Sequence, residues 1–219
     1  MNEPIQEKII RLREAVDKYP EDFDLRVVFA QACIEDNRNE EAFSALEILL
    51  EAKPDRGDLQ RLAGSVAMAL GKYDRAFEGL RIAIETDQND FSANHQLGIL
   101  YDRLGQYDEA IVFYKKAINI NPDYAEAHLD LAIVYDQMEV FDTAIKEYEE
   151  VLRLGRDEIE VYFRLGLLYD SFMDAEKAMY HTVRAKELAM LQKDTVWLKD
   201  TNKSIRILSQ RYGLNPDDF

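Results

Sequence analysis

Alanine recurs every 34 residues through most of this 219-residue chain. A second set of small residues keeps the same spacing, and so does a set of mostly large apolar residues. A fixed period of this length, with small residues at two fixed positions, is typical of stacked helix pairs in which each repeat buries its apolar face against its neighbours. The alanines are Ala42, Ala76, Ala110, Ala144 and Ala178; the second small set is Ala30, Gly64, Gly98, Ala132 and Gly166; and the apolar set is Phe29, Ala63, Leu97, Leu131 and Leu165.

Within each period the apolar residues are spaced as in two helices separated by a short break. In the third repeat Leu97, Leu100 and Leu104 follow a helical spacing, and Gly105 ends that helix before a second one begins. Two helices that pack closely cannot both carry large side chains where they cross, which explains the two small sets. When each repeat is numbered from 1 to 34 with the alanine at position 20, the repeats are 23–56, 57–90, 91–124, 125–158 and 159–192.

The third repeat has the most complete pattern, with Leu97, Gly98, Tyr101, Gly105, Tyr107, Ala110, Tyr114, Ala117 and Pro122. This pattern resembles the signature of the tetratricopeptide repeat family. The resemblance covers residues 23–192 and weakens in the outer repeats, where Cys33 and Thr182 stand at positions of aromatic residues, as is usual for terminal repeats. It implies an all-α fold: a right-handed superhelical solenoid of antiparallel helix pairs, with five 34-residue units and flanking helices.

The same numbering, extended beyond the five repeats, predicts one helix at each end of the chain. We predict a single solenoid over residues 1–219, with an N-terminal half-repeat helix over 3–18, five repeats over 23–192 and a C-terminal capping helix over 194–212. The capping helix is the one locally basic segment. A solvated cap and a docking surface are both compatible with its charge.

Composition narrows the classes of partner. Lys and Arg number 27 against 43 Asp and Glu, which gives a formal net charge of −16 and argues against binding the phosphates of nucleic acids. No apolar run is long enough to span a membrane. The single cysteine, Cys33, falls at a core-facing position and fits a reducing compartment. We therefore expect a cytoplasmic protein that has no membrane span and binds no nucleic acid.

The sequence contains no recognisable catalytic chemistry. The three histidines, His95, His128 and His181, lack the spacing of a metalloprotease or zinc-ribbon motif. His95 and His128 lie one repeat apart with acidic neighbours, so a metal site is the alternative to simple packing. Neither a glycine-rich phosphate loop nor a nucleophile elbow is present. We predict no catalytic residues, no metal, no cofactor and no enzymatic activity.

The resemblance also indicates where a partner would bind. In tetratricopeptide proteins the first helices line a concave groove, and positions 2, 5, 9, 12 and 13 face it. In the later repeats these positions hold an apolar strip and a row of aspartates, a combination typical of a site for an amphipathic segment that carries Lys or Arg. Duplication of a solubilising residue is the other explanation of the aspartates. The predicted groove residues are Ile99, Asp102, Leu129, Ile133, Asp136, Phe163, Leu167 and Asp170.

One familiar ligand of the family is not expected here. The family's carboxylate clamp for acidic chaperone tails needs Lys and Asn at positions 5 and 9 of the first helices. In the first three repeats those positions hold Val27 and Gln31, Arg61 and Ser65, and His95 and Ile99.

The sequence thus predicts a non-enzymatic scaffold or adaptor, or an assembly chaperone, that binds a basic amphipathic segment of a protein or peptide. Two alternatives stay open. The first is a structural protein that self-associates into a homo-oligomer, and the second is a regulatory subunit of a multi-protein complex.

Overall fold

The computed structural model describes residues 3–219, and this part of the chain contains twelve α-helices, one short 3-10 helix and no strand. The chain forms two compact parts, an N-terminal part that ends at Asn121 and a C-terminal part that begins at Pro122. The helices of the N-terminal part are α1 Ile5–Lys18, α2 Phe23–Glu35, α3 Asn39–Ala52, α4 Gly57–Ala69, α5 Tyr73–Thr86, α6 Phe91–Arg103 and α7 Tyr107–Ile120. Those of the C-terminal part are α8 Ala125–Gln137, α9 Phe141–Arg153, α10 Ile159–Ser171, α11 Ala175–Gln192 and α12 Thr195–Tyr212, followed by the 3-10 helix Pro216–Asp218.

Each predicted repeat is a hairpin of two helices. The pairs are α2 with α3, α4 with α5, α6 with α7, α8 with α9, and α10 with α11, and the helices of each pair pack against each other. Within every pair the connection is three residues long, which forces the two helices to run antiparallel. The helix pattern predicted from the period is therefore confirmed.

The small residues lie where the two helices of a pair cross. All five alanines of position 20 are fully buried. At position 8, a Cβ atom added to Gly98 would lie 2.6 Å from Cδ1 of Tyr114, and one added to Gly64 would lie 3.2 Å from the carbonyl oxygen of Ala76. Both distances are shorter than an ordinary van der Waals contact. The close approach of the helices therefore favours glycine at these two positions, as predicted.

The turn inside each pair has the same backbone conformation in all five repeats. Position 15 is left-handed in every case: Asn37, Gly71, Gly105, Glu139 and Met173 have φ values between 57° and 71°. In the fourth repeat the amide of Glu139 donates to the carbonyl of Asp136 at 3.0 Å, and the amide of Val140 donates to that of Tyr135 at 2.9 Å. These are the two hydrogen bonds of a Schellman motif. The motif ends each first helix just after position 12, the position of the aspartate row.

Two further helices flank the hairpins. Helix α1 packs against α2 through the buried side chains of Ile9, Leu12 and Val16. At the other end, the carboxylate of Asp194 accepts hydrogen bonds from the first amides of α12, and Gly213 ends the helix with φ 71°. Helix α12 is 18 residues long, whereas the first helix α10 has 13, so its last turns extend beyond the length of a first helix.

Candidate functional site

In the C-terminal part, the predicted groove residues lie on two first helices, α8 and α10, and we call the side of these helices that carries them the first-helix face. Leu129, Ile133 and Asp136 lie on α8. Positions four and then three residues apart fall on the same side of a helix, so these side chains line up along it. Phe163, Leu167 and Asp170 repeat the arrangement on α10. Leu167 is exposed, with 45% of its surface accessible to solvent, and Ile133 is half-buried.

Helix α6 carries the corresponding residues in the N-terminal part, where Ile99 and Asp102 are both half-buried. Ile99 packs against the core cluster that contains Leu97 and Leu100. Part of its apolar surface is thus used in packing the repeat, and less of it faces solvent than the pattern alone predicts.

The carboxylate of Asp136 is largely buried between two partners. Its side chain is 16% exposed, and a carboxylate oxygen lies 3.6 Å from Nη1 of Arg164. Asp136 also accepts a hydrogen bond from the hydroxyl of Tyr148. Burial of that hydroxyl, with the nearby Asp136 charge, raises the pKa of Tyr148, so it stays a neutral donor. Ile133, Gln137 and Glu160 complete a pocket of about 130 Å³ around this group.

Asp170 is held in a similar way by residues of α12. Nη1 of Arg211 lies 2.6 and 2.5 Å from its two carboxylate oxygens, and the hydroxyl of Tyr212 donates to Oδ1 at 2.7 Å. The bond to Asp170 raises the pKa of Arg211. In the fifth repeat Thr182 occupies the position that Tyr148 holds in the fourth, and Tyr212 provides the missing phenol from outside the repeat.

The remaining groove residues of α10 also meet α12. The rings of Phe163 and Trp197 are 5.3 Å apart and inclined at 64°, an edge-to-face contact. Leu167 lines a cavity of about 150 Å³ that Ile207 and Leu208 close from the α12 side. The α10 end of the first-helix face is therefore partly covered by the chain's own last helix, whereas the pocket beside Ile133 is not lined by α12.

Sequence reasoning missed several residues of this surface. Trp197 stands 34 residues after Phe163, so the period carried a signal for that contact. Arg164 stands at position 6, where none of the other four repeats has a basic residue, and Arg211 lies beyond the last repeat. No periodic signal identified either arginine as the partner of an aspartate.

The three histidines are packed side chains. His128 is 2.7 Å from a carboxylate oxygen of Glu147 through Nδ1 and 3.1 Å from the carbonyl of Pro122 through Nε2. His181 stacks on Tyr169 at 5.4 Å, and burial lowers its pKa from 6.5 to about 4. His95 is buried with its ring 5.6 Å from that of Tyr114.

Residues 3–219 contain neither a cluster of metal ligands nor a membrane-spanning helix. No three or more His, Cys, Asp or Glu side chains in this part of the chain are grouped so that they could hold a metal ion. None of the helices described for these residues has both the length and the apolar character required to cross a membrane.

Comparison with known proteins gives matches in sequence and in fold. A family model described as "TPR repeat" matches residues 103–139, and one described as "Tetratricopeptide repeat" matches residues 81–112. No curated protein matches the chain.

Solved structures resemble the chain over most of its length. A crystal structure of MamA superposes with a TM-score of 0.68 at 25% identity, covering 75% of this chain and 96% of MamA. YrrB, described as "a TPR protein with an unusual peptide-binding site", gives 0.65 at 19% identity, covering 88% and 97%. TTC0263, a thermophilic TPR protein of Thermus thermophilus, gives 0.62 at 21% identity, covering 84% and 98%.

The repeat hairpins, the two matched family models and these structural neighbours together define a helical-repeat solenoid that serves as a protein–protein interaction module. Residues 81–139 match models of the tetratricopeptide repeat, and the chain shares its fold with solved tetratricopeptide repeat proteins.

Proposed function

We propose that this chain is a non-enzymatic, cytoplasmic adaptor or assembly chaperone, and that it binds a basic amphipathic segment of its client on the first-helix face. The proposal is supported above all by Ile133. This apolar side chain is half-buried, and it lies in a pocket with the carboxylates of Asp136 and Glu160. A site of this composition accepts an apolar side chain and a cationic one from the same ligand.

The charges of the face favour a basic client. Arg164 lies between two carboxylates, 3.6 Å from Asp136 and 3.8 Å from Glu160, and its side chain is 48% exposed. The pair of Arg164 with Glu160 is exposed on both sides and contributes little, about 0–1 kcal/mol, so a client arginine or lysine can compete for the Glu160 carboxylate. The formal charge of −16 also attracts cationic partners at long range.

The apolar part of the face favours an amphipathic client. Leu129, Ile133 and Leu167 present aliphatic side chains on two successive first helices. A helix or extended segment with apolar residues on one side buries against such a surface and keeps its charged side at the carboxylates. The peptide-binding site named for YrrB supports peptides as a ligand class for this fold.

The test is affinity capture from native lysate, compared between the wild type and Ile133→Glu. We expect clients to be lost from Ile133→Glu, because the new carboxylate places a charge in the apolar contact and adds to the negative charge of the pocket. Captured clients should dissociate as salt is raised, since screening weakens the interaction of their basic residues with the face.

Val112→Glu is the matched control. Val112 is a β-branched residue on a second helix, α7, and is 50% exposed. It should capture the same clients as the wild type. If Ile133→Glu keeps a helical circular dichroism spectrum and captures every client at wild-type yield, the first-helix face is not the binding site.

A further inference from the structure

The last two turns of α12, residues 205–212, lie against the α10 end of the first-helix face. Leu208 and Ile207 border the same cavity as Leu167, and Arg211 and Tyr212 both bind the carboxylate of Asp170. This segment, which we call the α12 end, therefore contacts two residues that the sequence assigns to client binding.

The chemistry of α12 is also that of the proposed client. Four basic residues, Lys199, Lys203, Arg206 and Arg211, stand against one acidic residue, Asp200, in an otherwise acidic chain. Its buried residues, Thr201, Ile205 and Leu208, lie on one side of the helix. Helix α12 is thus an amphipathic, basic segment that occupies part of the surface proposed to receive one.

Two buried apolar side chains, Ile205 and Leu208, anchor the start of the α12 end, whereas its last residues are held by polar contacts. Beyond Leu208, Arg211 and Tyr212 both bind the single carboxylate of Asp170. The side chain of Arg211 is 52% exposed, and Ile207 is 41% exposed. Residues 209–212 therefore have few buried apolar contacts and mainly exposed polar ones, which are the marks of a segment that opens locally at low cost.

We propose that the α12 end is a built-in occupant of the first-helix face, and that a client takes its place by presenting the same groups. The client would carry an arginine followed by a tyrosine, with an apolar residue three positions before the arginine, as Leu208 precedes Arg211. This inference rests on the proposed function and adds its regulation and the chemistry of the partner.

The occupant lowers the apparent affinity for clients according to the fraction of molecules in which it is docked. A client that binds only the open form, in which the α12 end has left Asp170, shifts the population toward that form. A client that makes no contact with Asp170 does not shift it. The α12 end would thus select clients that match its own arginine–tyrosine pair.

The experiment uses the full chain and a labelled synthetic peptide with the sequence of residues 195–214 as the probe. We compare the wild type with Arg211→Glu/Tyr212→Ala, in which both contacts with Asp170 are removed. We expect roughly a tenfold or larger rise in hydrogen exchange over residues 205–212, with α10 and the first half of α11 unchanged. The probe should bind this variant about tenfold or more tightly than it binds the wild type.

The matched control is Arg206→Glu/Gln210→Ala, which changes two exposed positions of α12 in the same manner. It should exchange and bind the probe like the wild type. Adding Asp170→Arg to the opened variant should abolish probe binding, because the probe's arginine then meets a like charge. If the opened variant does not fold, Arg211→Lys/Tyr212→Phe tests the same contacts and should raise the probe affinity by a smaller factor.

Three results would overturn the inference. In the first, hydrogen exchange shows that the α12 end of the opened variant is undocked, but this variant binds the probe no better than the wild type does. The α12 end would then be only a structural cap. In the second, the control binds the probe as tightly as the opened variant. In the third, light scattering shows that the wild type pairs into dimers through α12, which would make the occupant a second copy of the chain.

The proposed function fails on a different result. Suppose a basic amphipathic peptide without the arginine–tyrosine pair binds the wild type, is lost in Ile133→Glu, and is unaffected by the changes at Arg211 and Tyr212. The first-helix face is then a binding site and only the α12 inference is removed. If Ile133→Glu binds every such peptide like the wild type, the proposed function itself is removed.

Discussion

The Arg211 guanidinium on α12 reaches both carboxylate oxygens of Asp170 on α10, at 2.6 and 2.5 Å. Arg164 stands in a similar relation to Asp136, at 3.6 Å. Asp170 and Asp136 of the predicted acidic row are therefore each paired with an arginine of the same part of the chain. Under the proposed function, a cationic client exchanges partners with these arginines, and the apolar residues beside them decide how tightly it binds.

Ala110→Leu should destabilise the repeat, because Ala110 is fully buried at the crossing of α6 and α7. Overpacking of such a site costs about 1–3 kcal/mol. Chemical denaturation measures the loss. Ala69→Leu is the control, since Ala69 is exposed near the end of α4 and the change there should stay within about 0.5 kcal/mol. Equal stability of both variants would contradict the crossing-point explanation of the alanine period.

Met173→Gly should stabilise the protein. Met173 is 81% exposed and has φ 60°, a conformation that costs a side chain about 1–2 kcal/mol and costs glycine little. We expect a higher midpoint of thermal unfolding. Met190→Gly makes the same change inside α11, at an exposed position, and should destabilise by about 1 kcal/mol. A loss of stability in both variants would contradict the assigned turn conformation.

His181 should make the protein sensitive to acid. Burial lowers its pKa from 6.5 to about 4, so between these pH values the unfolded chain binds a proton that the folded chain does not. Stability therefore falls as pH is lowered through this window, by roughly 3 kcal/mol in total at about 1.4 kcal/mol per pKa unit.

His181→Phe tests this, because phenylalanine can keep the stacking on Tyr169 and carries no titrating group. Its unfolding free energy should fall less steeply than that of the wild type as pH is lowered through the same window. Carboxylates contribute equally to the pH dependence of both proteins. Parallel pH profiles would therefore show that His181 does not cause the loss of stability in acid.

A peptide that ends in Glu-Glu-Val-Asp should not bind. Arg61, which stands at a clamp position of the second repeat, is already 3.1 Å from the carboxylate of Asp90, and His95 is buried. Fluorescence anisotropy with the labelled peptide measures this. Saturable binding at micromolar concentration that is lost in Arg61→Glu would show that a clamp exists after all.

The period allowed most of the fold to be predicted because helix crossings impose strict requirements on residue size. Ala110 and Gly98 had to be small, and Gly105 had to adopt a left-handed conformation. Once these positions were fixed, the bounds of the paired helices and the side of α8 that carries Ile133 followed from helical geometry.

The partners of the aspartates could not be predicted in this way. Arg164 and Arg211 do not recur at the period, and nothing in the sequence placed the end of α12 against Asp170. Thr182 offered one hint, since it left the fifth repeat without the phenol that Tyr148 provides in the fourth. The sequence pattern explains that gap as the weakening of a terminal repeat, and the structure fills it with Tyr212.

Site-specific photo-crosslinking tests the central claim most directly. A photoreactive phenylalanine analogue replaces Ile133 in one protein and Val112 in another, and the crosslinked client peptides are sequenced. We predict crosslinks from position 133 to client segments with apolar residues on one side and Lys or Arg on the other, and none of these segments from position 112. Crosslinks from position 112 alone, or from position 133 only to acidic segments, would contradict the account.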